Sequence, residues 1–192
     1  MSDVVRCTVL CVCTGNICRS PAAELLLAAR LGDGVQVESA GMRAQIGRPI
    51  ASPMAQRIRA AGVDPDGFAA RQLLAAMVRS ADLVLTMSRS QRAAVGQLVP
   101  SAADRTFTLL EFARRVAPFA VDETPGASTG ERLATLVTHA ASLRRMANGR
   151  VDVIDPFGRS SRAYDRAFAD IGRATDVICG ALGSTGVTQD RW

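Results

Sequence analysis

The sequence predicts one three-layer α/β domain: a central parallel sheet of about four strands, helices on both faces, and a phosphate-binding loop after the first strand. Three observations predict it. Short β-branched apolar runs alternate with helical periodicities from Arg6 to Val116, which is the grammar of strands joined by crossover helices. The first run passes through a tight Gly-containing turn directly into an Ala- and Leu-rich stretch. At 192 residues and 48% hydrophobic content, the chain supplies one core of ordinary size.

Taken in order, Arg6–Val12 is apolar and β-branched, a buried strand. Ala22–Arg30 is the first helix, with Ser20 as its N-cap and Pro21 at the first helical position, where a missing N–H costs nothing. Strands follow at Val35–Ser39, Ala81–Met87 and Arg105–Leu109, and helices near Pro53–Ala61, Arg89–Leu98 and Leu110–Val116. Residues 117–150 form an insertion. There Pro125-Gly126 opens a turn, Ser128 and Glu131 make a capping box, and Leu133, Leu136, Val137, Ala140 and Leu143 recur at helical spacing. This sets an added amphipathic helix over 128–147, closed by Asn148-Gly149, next to a loop containing Asp155. A last helix over Ser161–Leu182 completes a domain of residues 1–182, and 183–192 form a flexible tail.

The chemistry is concentrated in Cys13-Thr14-Gly15-Asn16-Ile17-Cys18-Arg19-Ser20. Five residues between Cys13 and Arg19 can wrap once around a tetrahedral oxyanion, with backbone N–H groups turned inward as a nest and Gly15 free to take a positive φ. The helix N-terminus that follows favours the same guest. Arg19 closes the ring with a bidentate grip on two oxygens, and the field of amides and guanidinium favours a thiolate, which makes Cys13 the nucleophile. Ser20 donates to that sulfur and Asn16 braces the loop through its amide. The ligand class is phosphate or another tetrahedral oxyanion, held by Thr14, Gly15, Asn16, Ile17, Cys18, Arg19 and Ser20. Expelling an alkoxide or phenolate also needs a proton donor, a role that Cys13 and Arg19 cannot fill.

The run Val9 to Pro21 resembles the signature of the low-molecular-weight protein tyrosine phosphatases, and the resemblance continues in Ser39-Ala40-Gly41, Ala70-Arg71-Gln72-Leu73, Asp82–Met87, Phe107–Ala113 and Val153-Ile154-Asp155-Pro156-Phe157. It is to the bacterial type. It implies hydrolysis of phosphotyrosine in proteins through a phosphocysteine intermediate, with Cys13 as nucleophile, Arg19 as phosphate clamp and Asp155 as general acid and base. It implies no cofactor and no metal. A phosphotyrosine protein is the implied partner, a bacterial tyrosine kinase being one candidate. Phe157 with Ala44 and Gln45 is the expected substrate pocket. In the resembling family a cysteine placed like Cys18 can form a reversible disulfide with the nucleophile; packing beneath the loop is the equal alternative. The chain departs from the family in its insertion, in Met42–Gly47, which offers a flatter and more cationic wall, in Phe157-Gly158, and in Phe68, which stands where a bracing histidine is frequent.

Two rival functions draw on the same residues. An arsenate reductase shares the loop, and although the chain has no cysteine between Cys18 and Cys179 for an internal relay, an external low-molecular-weight thiol would serve; Asp155 argues against it. A non-catalytic phosphotyrosine-binding module would lack Cys13, Arg19 or Asp155, and all three are present. The formal charge of +5 comes from arginine alone and suits an anionic substrate, but scattered arginines without interleaved aromatics do not read as nucleic-acid binding. The four cysteines from Cys7 to Cys18 lack the paired spacing of structural zinc, and five cysteines with one cast as a nucleophile suit a reducing compartment, hence the cytoplasm. Neither a signal peptide nor a membrane span is read, and Arg71, Glu111 and His139 are assigned to the fold and surface.

Overall fold

Strand β1 (Cys7–Cys13) is apolar on both faces, and this makes it the centre of the sheet. The computed structural model describes residues 7–119, 126, 128–143 and 149–183. β1 pairs in parallel with β2 (Val35–Gly41) on one side and β3 (Leu83–Thr86) on the other, and β4 (Thr106–Thr108) extends the β3 edge, giving the order β2-β1-β3-β4. Val9, Cys11 and Cys13 face one layer of the core; Leu10 and Val12 face the other. The first layer is built from α1 (Arg19–Leu31), α2 (Ser52–Ala60), α5 (Leu109–Val116), α6 (Thr129–Ser142) and α7 (Ser161–Ala181). The second holds α3 (Ala75–Ser80) and α4 (Arg89–Leu98). The three-layer expectation is met, with α3 as an element the sequence reading omitted.

From β1 the chain leaves to β2 on one side and later returns to β3 on the other. The carboxyl end of β1 is therefore a topological switch point, the place where open parallel sheets leave a crevice for a ligand. Cys13 is the last residue of that strand.

Two helix ends differ from expectation. α1 begins at Arg19, so Ser20 is its second residue and not its N-cap. No side chain caps this end, because the preceding residues are spent on the loop and the free amides face it. The capping box expected at Ser128 is present: Ser128 Oγ accepts from Glu131 N and Ser128 N donates to Glu131 Oε2 at 2.9 Å. The helix it opens does not sit by the Asp155 loop. Cys7 Sγ contacts Gly130 O at 3.4 Å, so α6 starts against the end of β1 opposite Cys13, about 20 Å away at ~3.3 Å per strand residue. Leu133, Leu136 and Ala140 are fully buried there, so the helix covers the amino-terminal edge of the sheet. The rest of the expected helix 128–147, from 144 on, and all but the first residue of the expected tail 183–192 lie outside the described residues. Arg71 pairs with Glu38 and Glu111 with Arg92 and Arg115, the fold-supporting links expected of them. His139 is half-buried, its ring edge-on to Phe119 with centroids 4.4 Å apart, and not simply solvated.

Candidate active site

The loop from Cys13 to Arg19 is shaped by what its carbonyls do. Cys13 O accepts from Met42 N at 3.0 Å, Thr14 O from Arg43 N at 2.9 Å, Gly15 O from Gln45 N at 3.0 Å and Ile17 O from Ala51 N at 2.8 Å. With those carbonyls turned outward to the segment after β2, the amides turn inward. Asn16 N–H points at Cys13 Sγ, 3.3 Å away. The residue that takes the left-handed conformation is Asn16 (φ 55), not Gly15. Asparagine tolerates that region, and here its side chain is held on three sides: Nδ2 donates to Ser20 Oγ at 2.9 Å and Ser39 Oγ at 2.7 Å, and Oδ1 accepts from Arg71 N at 2.9 Å. The expected brace is thus observed, reaching β2 and the Arg71 segment.

Ser20 accepts from Asn16 and spends its own proton on Cys13 Sγ, at 3.0 Å. The early start of α1 allows this: the hydroxyl turns back to the sulfur instead of capping. Cys13 itself is 2% exposed and sits at the floor of a pocket of about 200 Å³. Arg19 is buried, and its Nη2 donates to Asp155 Oδ2 at 2.6 Å while Nη1 donates to Val153 O at 3.4 Å. Arg19 Nε is buried with no protein acceptor among the described residues, an unmet donor beside the nest.

Asp155 arrives from the far end of the sequence because its loop is tied to the top of β3: Val153 N donates to Met87 O at 2.9 Å and Arg89 N to Asp152 Oδ1 at 2.9 Å. Its Oδ1 accepts from Phe157 N at 3.3 Å, and the carboxylate remains half-exposed. Phe157, 55% exposed, forms one wall of the pocket and Gln45 another.

Ala44 does not line the pocket; Arg43 does. The segment runs beside the loop with Arg43 and Gln45 bonded to it, and alternation turns Ala44 away, where its N–H donates to Gln72 Oε1 at 3.1 Å. Four further residues were not placed in the site from the sequence. Gln91 of α4 is buried, with Nε2 donating to Thr14 Oγ1 at 3.1 Å and Oε1 accepting from Met87 N at 3.0 Å, so it clasps the loop to β3. Ser39 passes the Asn16 brace on to Glu24, with Oγ donating to Oε2 at 2.5 Å. Burial pushes the Glu24 carboxyl above its usual value, against the pull of Ser39 and Arg71. Tyr164 on α7 is buried beside Cys18, whose thiol burial pushes up to about 12, against the pull of Tyr164. Polar side chains at buried registers were the only available signal for Gln91 and Ser39.

A family model described as low molecular weight phosphotyrosine protein phosphatase matches residues 8–123. This chain belongs to that family. The low molecular weight protein-tyrosine-phosphatase Etp of Escherichia coli K12 is 41% identical over 99 residues, covering 52% of this chain and 66% of that protein. The probable phosphatase EpsP of Ralstonia solanacearum is 43% identical over 105 residues, covering 54% of this chain and 71% of that one. Among solved structures, the tyrosine phosphatase AmsI of Erwinia amylovora shares the fold at a TM-score of 0.68 and 23% identity, over 92% of this chain and 93% of that one. The YwlE arginine phosphatase of Geobacillus stearothermophilus has a TM-score of 0.68 at 27% identity, over 92% of both chains. The family match ends at residue 123, short of Asp155. In this member of the family Asp155 reaches the loop after β1 through its 2.6 Å contact with Arg19.

Proposed function

We propose that this chain is a metal-independent protein-tyrosine phosphatase that works through a phosphocysteine on Cys13. The observation that carries the reading is the convergence of donors on one sulfur, Asn16 N–H at 3.3 Å and Ser20 O–H at 3.0 Å, in the pocket that also holds Arg19 and Asp155. Family membership implies the same reaction.

The steps follow from the side chains. The phosphate enters the nest, its oxygens meeting the loop amides of Thr14 to Ser20 and the guanidinium of Arg19, whose Nε has room for one more acceptor. One oxygen takes the place of Asp155 Oδ2 on Arg19. Asp155, released from Arg19, takes up a proton from solvent; Cys13 Sγ attacks phosphorus in line, the P–O bond to the tyrosyl oxygen breaks, and Asp155 gives that oxygen its proton. Water then attacks phosphorus, Asp155 takes its proton, and the P–S bond breaks with Ser20 O–H stabilising the departing thiolate. Cys18 lines the same pocket as Cys13, and both are free thiols, so a protective disulfide is part of this proposal: Cys13 thiolate attacks a peroxide, the O–O bond breaks to leave a sulfenic acid, and the Cys18 thiol displaces its oxygen as water.

The aromatic substrate is supported by the walls. Ile17 and Phe157 offer apolar surface to a phenyl ring, and Arg43 opposes a cationic leaving group such as the guanidinium of phosphoarginine. The partner we infer is a phosphotyrosine protein, a bacterial tyrosine kinase being a candidate, in the cytoplasm. Among the described residues no helix is long and apolar enough to cross a membrane. Arsenate reduction is not favoured: it gives Asp155 no leaving oxygen to protonate, and the family that matches is a phosphatase family.

The test is hydrolysis of p-nitrophenyl phosphate, phosphotyrosine and phosphoarginine by the reduced protein with chelator present, beside Cys13→Ser and Asp155→Asn. Turnover of the two aryl esters, abolished by Cys13→Ser and strongly reduced by Asp155→Asn, is the expected result. Absence of turnover in the reduced wild type overturns the reading, and a preference for phosphoarginine overturns the substrate.

A further inference from the structure

We propose that Arg43 selects the sequence around the phosphotyrosine: it draws carboxylate side chains of the substrate to the mouth of the pocket, so acidic phosphotyrosine segments are the favoured substrates. The proposal rests on the phosphatase reading and adds a specificity to it.

Arg43 combines a fixed backbone with an uncommitted charge. Its N–H is bonded to Thr14 O at 2.9 Å, which anchors its Cα against the phosphate-binding loop. Its side chain lines the pocket, and the residue is exposed. No ion pair engages it among the described residues, whereas Arg19, Arg71 and Arg89 around the same site are paired with Asp155, Glu38 and Asp152. Among the described residues the one carboxylate that lines the pocket, Asp155, is already held by Arg19. A second cation on the rim thus has no carboxylate of its own in the lining, and an arriving peptide can supply one.

The neighbouring surface fits a peptide more than a small ester. Phe157 is 55% exposed in the pocket wall, and Ile46, three residues after Arg43, is 72% exposed. Apolar surface beside an unpaired guanidinium suits a segment in which an aromatic residue is followed or preceded by acidic ones. The net charge of +5 acts in the same direction at longer range. Because the contact is exposed to solvent, each well-placed carboxylate should raise kcat/KM by about two- to five-fold at low ionic strength, and less as salt screens it.

The experiment compares kcat/KM on three phosphotyrosine peptides of equal length, flanked by glutamate, glutamine or lysine, with p-nitrophenyl phosphate as a fourth substrate. The enzymes are wild type, Arg43→Gln and Arg43→Glu. The wild type should rank glutamate over glutamine over lysine by the stated factors, mostly through KM. Arg43→Gln should level the ranking and Arg43→Glu invert it, an inversion that a misfolded variant cannot produce. A wild type indifferent to flanking charge overturns the proposal, as does a ranking that survives both substitutions. A loss on p-nitrophenyl phosphate equal to that on the glutamate peptide would make Arg43 a phosphate ligand and equally overturn it. Failure of the phosphatase reading looks different: no aryl phosphate is hydrolysed by the wild type.

Discussion

Arg19 Nη2 donates to Asp155 Oδ2 across 2.6 Å, joining the loop after β1 to the loop before α7 across 136 positions of sequence. On the proposed mechanism the pair sets up a competition, because an oxyanion held by Arg19 must displace the carboxylate. Asp155→Asn should therefore do two opposite things. Turnover of phosphotyrosine falls by about 10²- to 10⁴-fold, the usual worth of a general acid. Inhibition by inorganic phosphate becomes tighter, because a neutral amide competes less for Arg19 and repels the dianion less. Measuring kcat and the phosphate inhibition constant on both proteins checks this; weaker phosphate binding in Asp155→Asn would mean that the pair does not oppose ligand entry.

Gly41 closes β2 directly beside Cys13, and a Cβ there would lie 2.7 Å from Thr14 O and 3.0 Å from both Ala44 Cα and Asn16 Cβ. Two of those neighbours belong to the loop after β1, and all three are pinned by hydrogen bonds. Gly41→Ala should cost about 1–3 kcal/mol of stability as an overpacked site and lower kcat at the same time. Gly96→Ala is the contrast. That glycine sits within α4 with nothing within 4 Å of the added methyl, so the change should stabilise by about 0.5–1 kcal/mol and leave turnover unchanged. Thermal melts with p-nitrophenyl phosphate assays separate the two.

Leu136 is fully buried on α6, the helix that packs at the Cys7 end of β1. Leu136→Ala should destabilise by about 2–5 kcal/mol through the cavity it leaves. The folded variant should keep its KM for aryl phosphates, since none of the described residues lining the pocket at Cys13 belongs to α6. Denaturant midpoints and steady-state kinetics on the same preparation test both halves. A selective change in KM would place the insertion in substrate access after all.

The strands and most helices were legible because their signals are local: β-branched runs for the sheet, helical spacing and the Ser128–Glu131 box for α6. α3 was not, since Ala75–Ser80 is too short to show a period. The loop could be read from Cys13, Arg19 and Ser20 alone, but the owner of the positive φ could not. Gly15 permits it; the side chain of Asn16, with partners on β2 and at Arg71, claims it. The same gap explains Ala44 and Arg43. Both follow β2, and only the register of that segment against Thr14 and Gly15 decides which faces the pocket. Gln91 and Ser39 act over 77 and 23 positions of sequence, distances at which no local pattern carries information.

Glu24 ends the chain of hydrogen bonds that begins at Cys13 and passes through Ser20, Asn16 and Ser39. Its carboxyl is raised above the ordinary 4.5 by burial, with Glu38 adding to the shift and Ser39 and Arg71 opposing it. The sign follows from proton counting. Above the unfolded value the native state holds the proton more tightly than the unfolded chain does, so this contribution to stability is complete below about 4.5 and is lost as pH rises through the folded value. Glu24→Gln keeps an oxygen to accept from Ser39 and removes the ionisation. Its stability relative to wild type should therefore rise as pH increases from 4 through the carboxylate range and then level off. Urea midpoints measured from pH 4 to pH 8 decide it. Parallel curves would show that Glu24 ionises as easily folded as unfolded, and that solvent reaches its free oxygen while Ser39 holds the other.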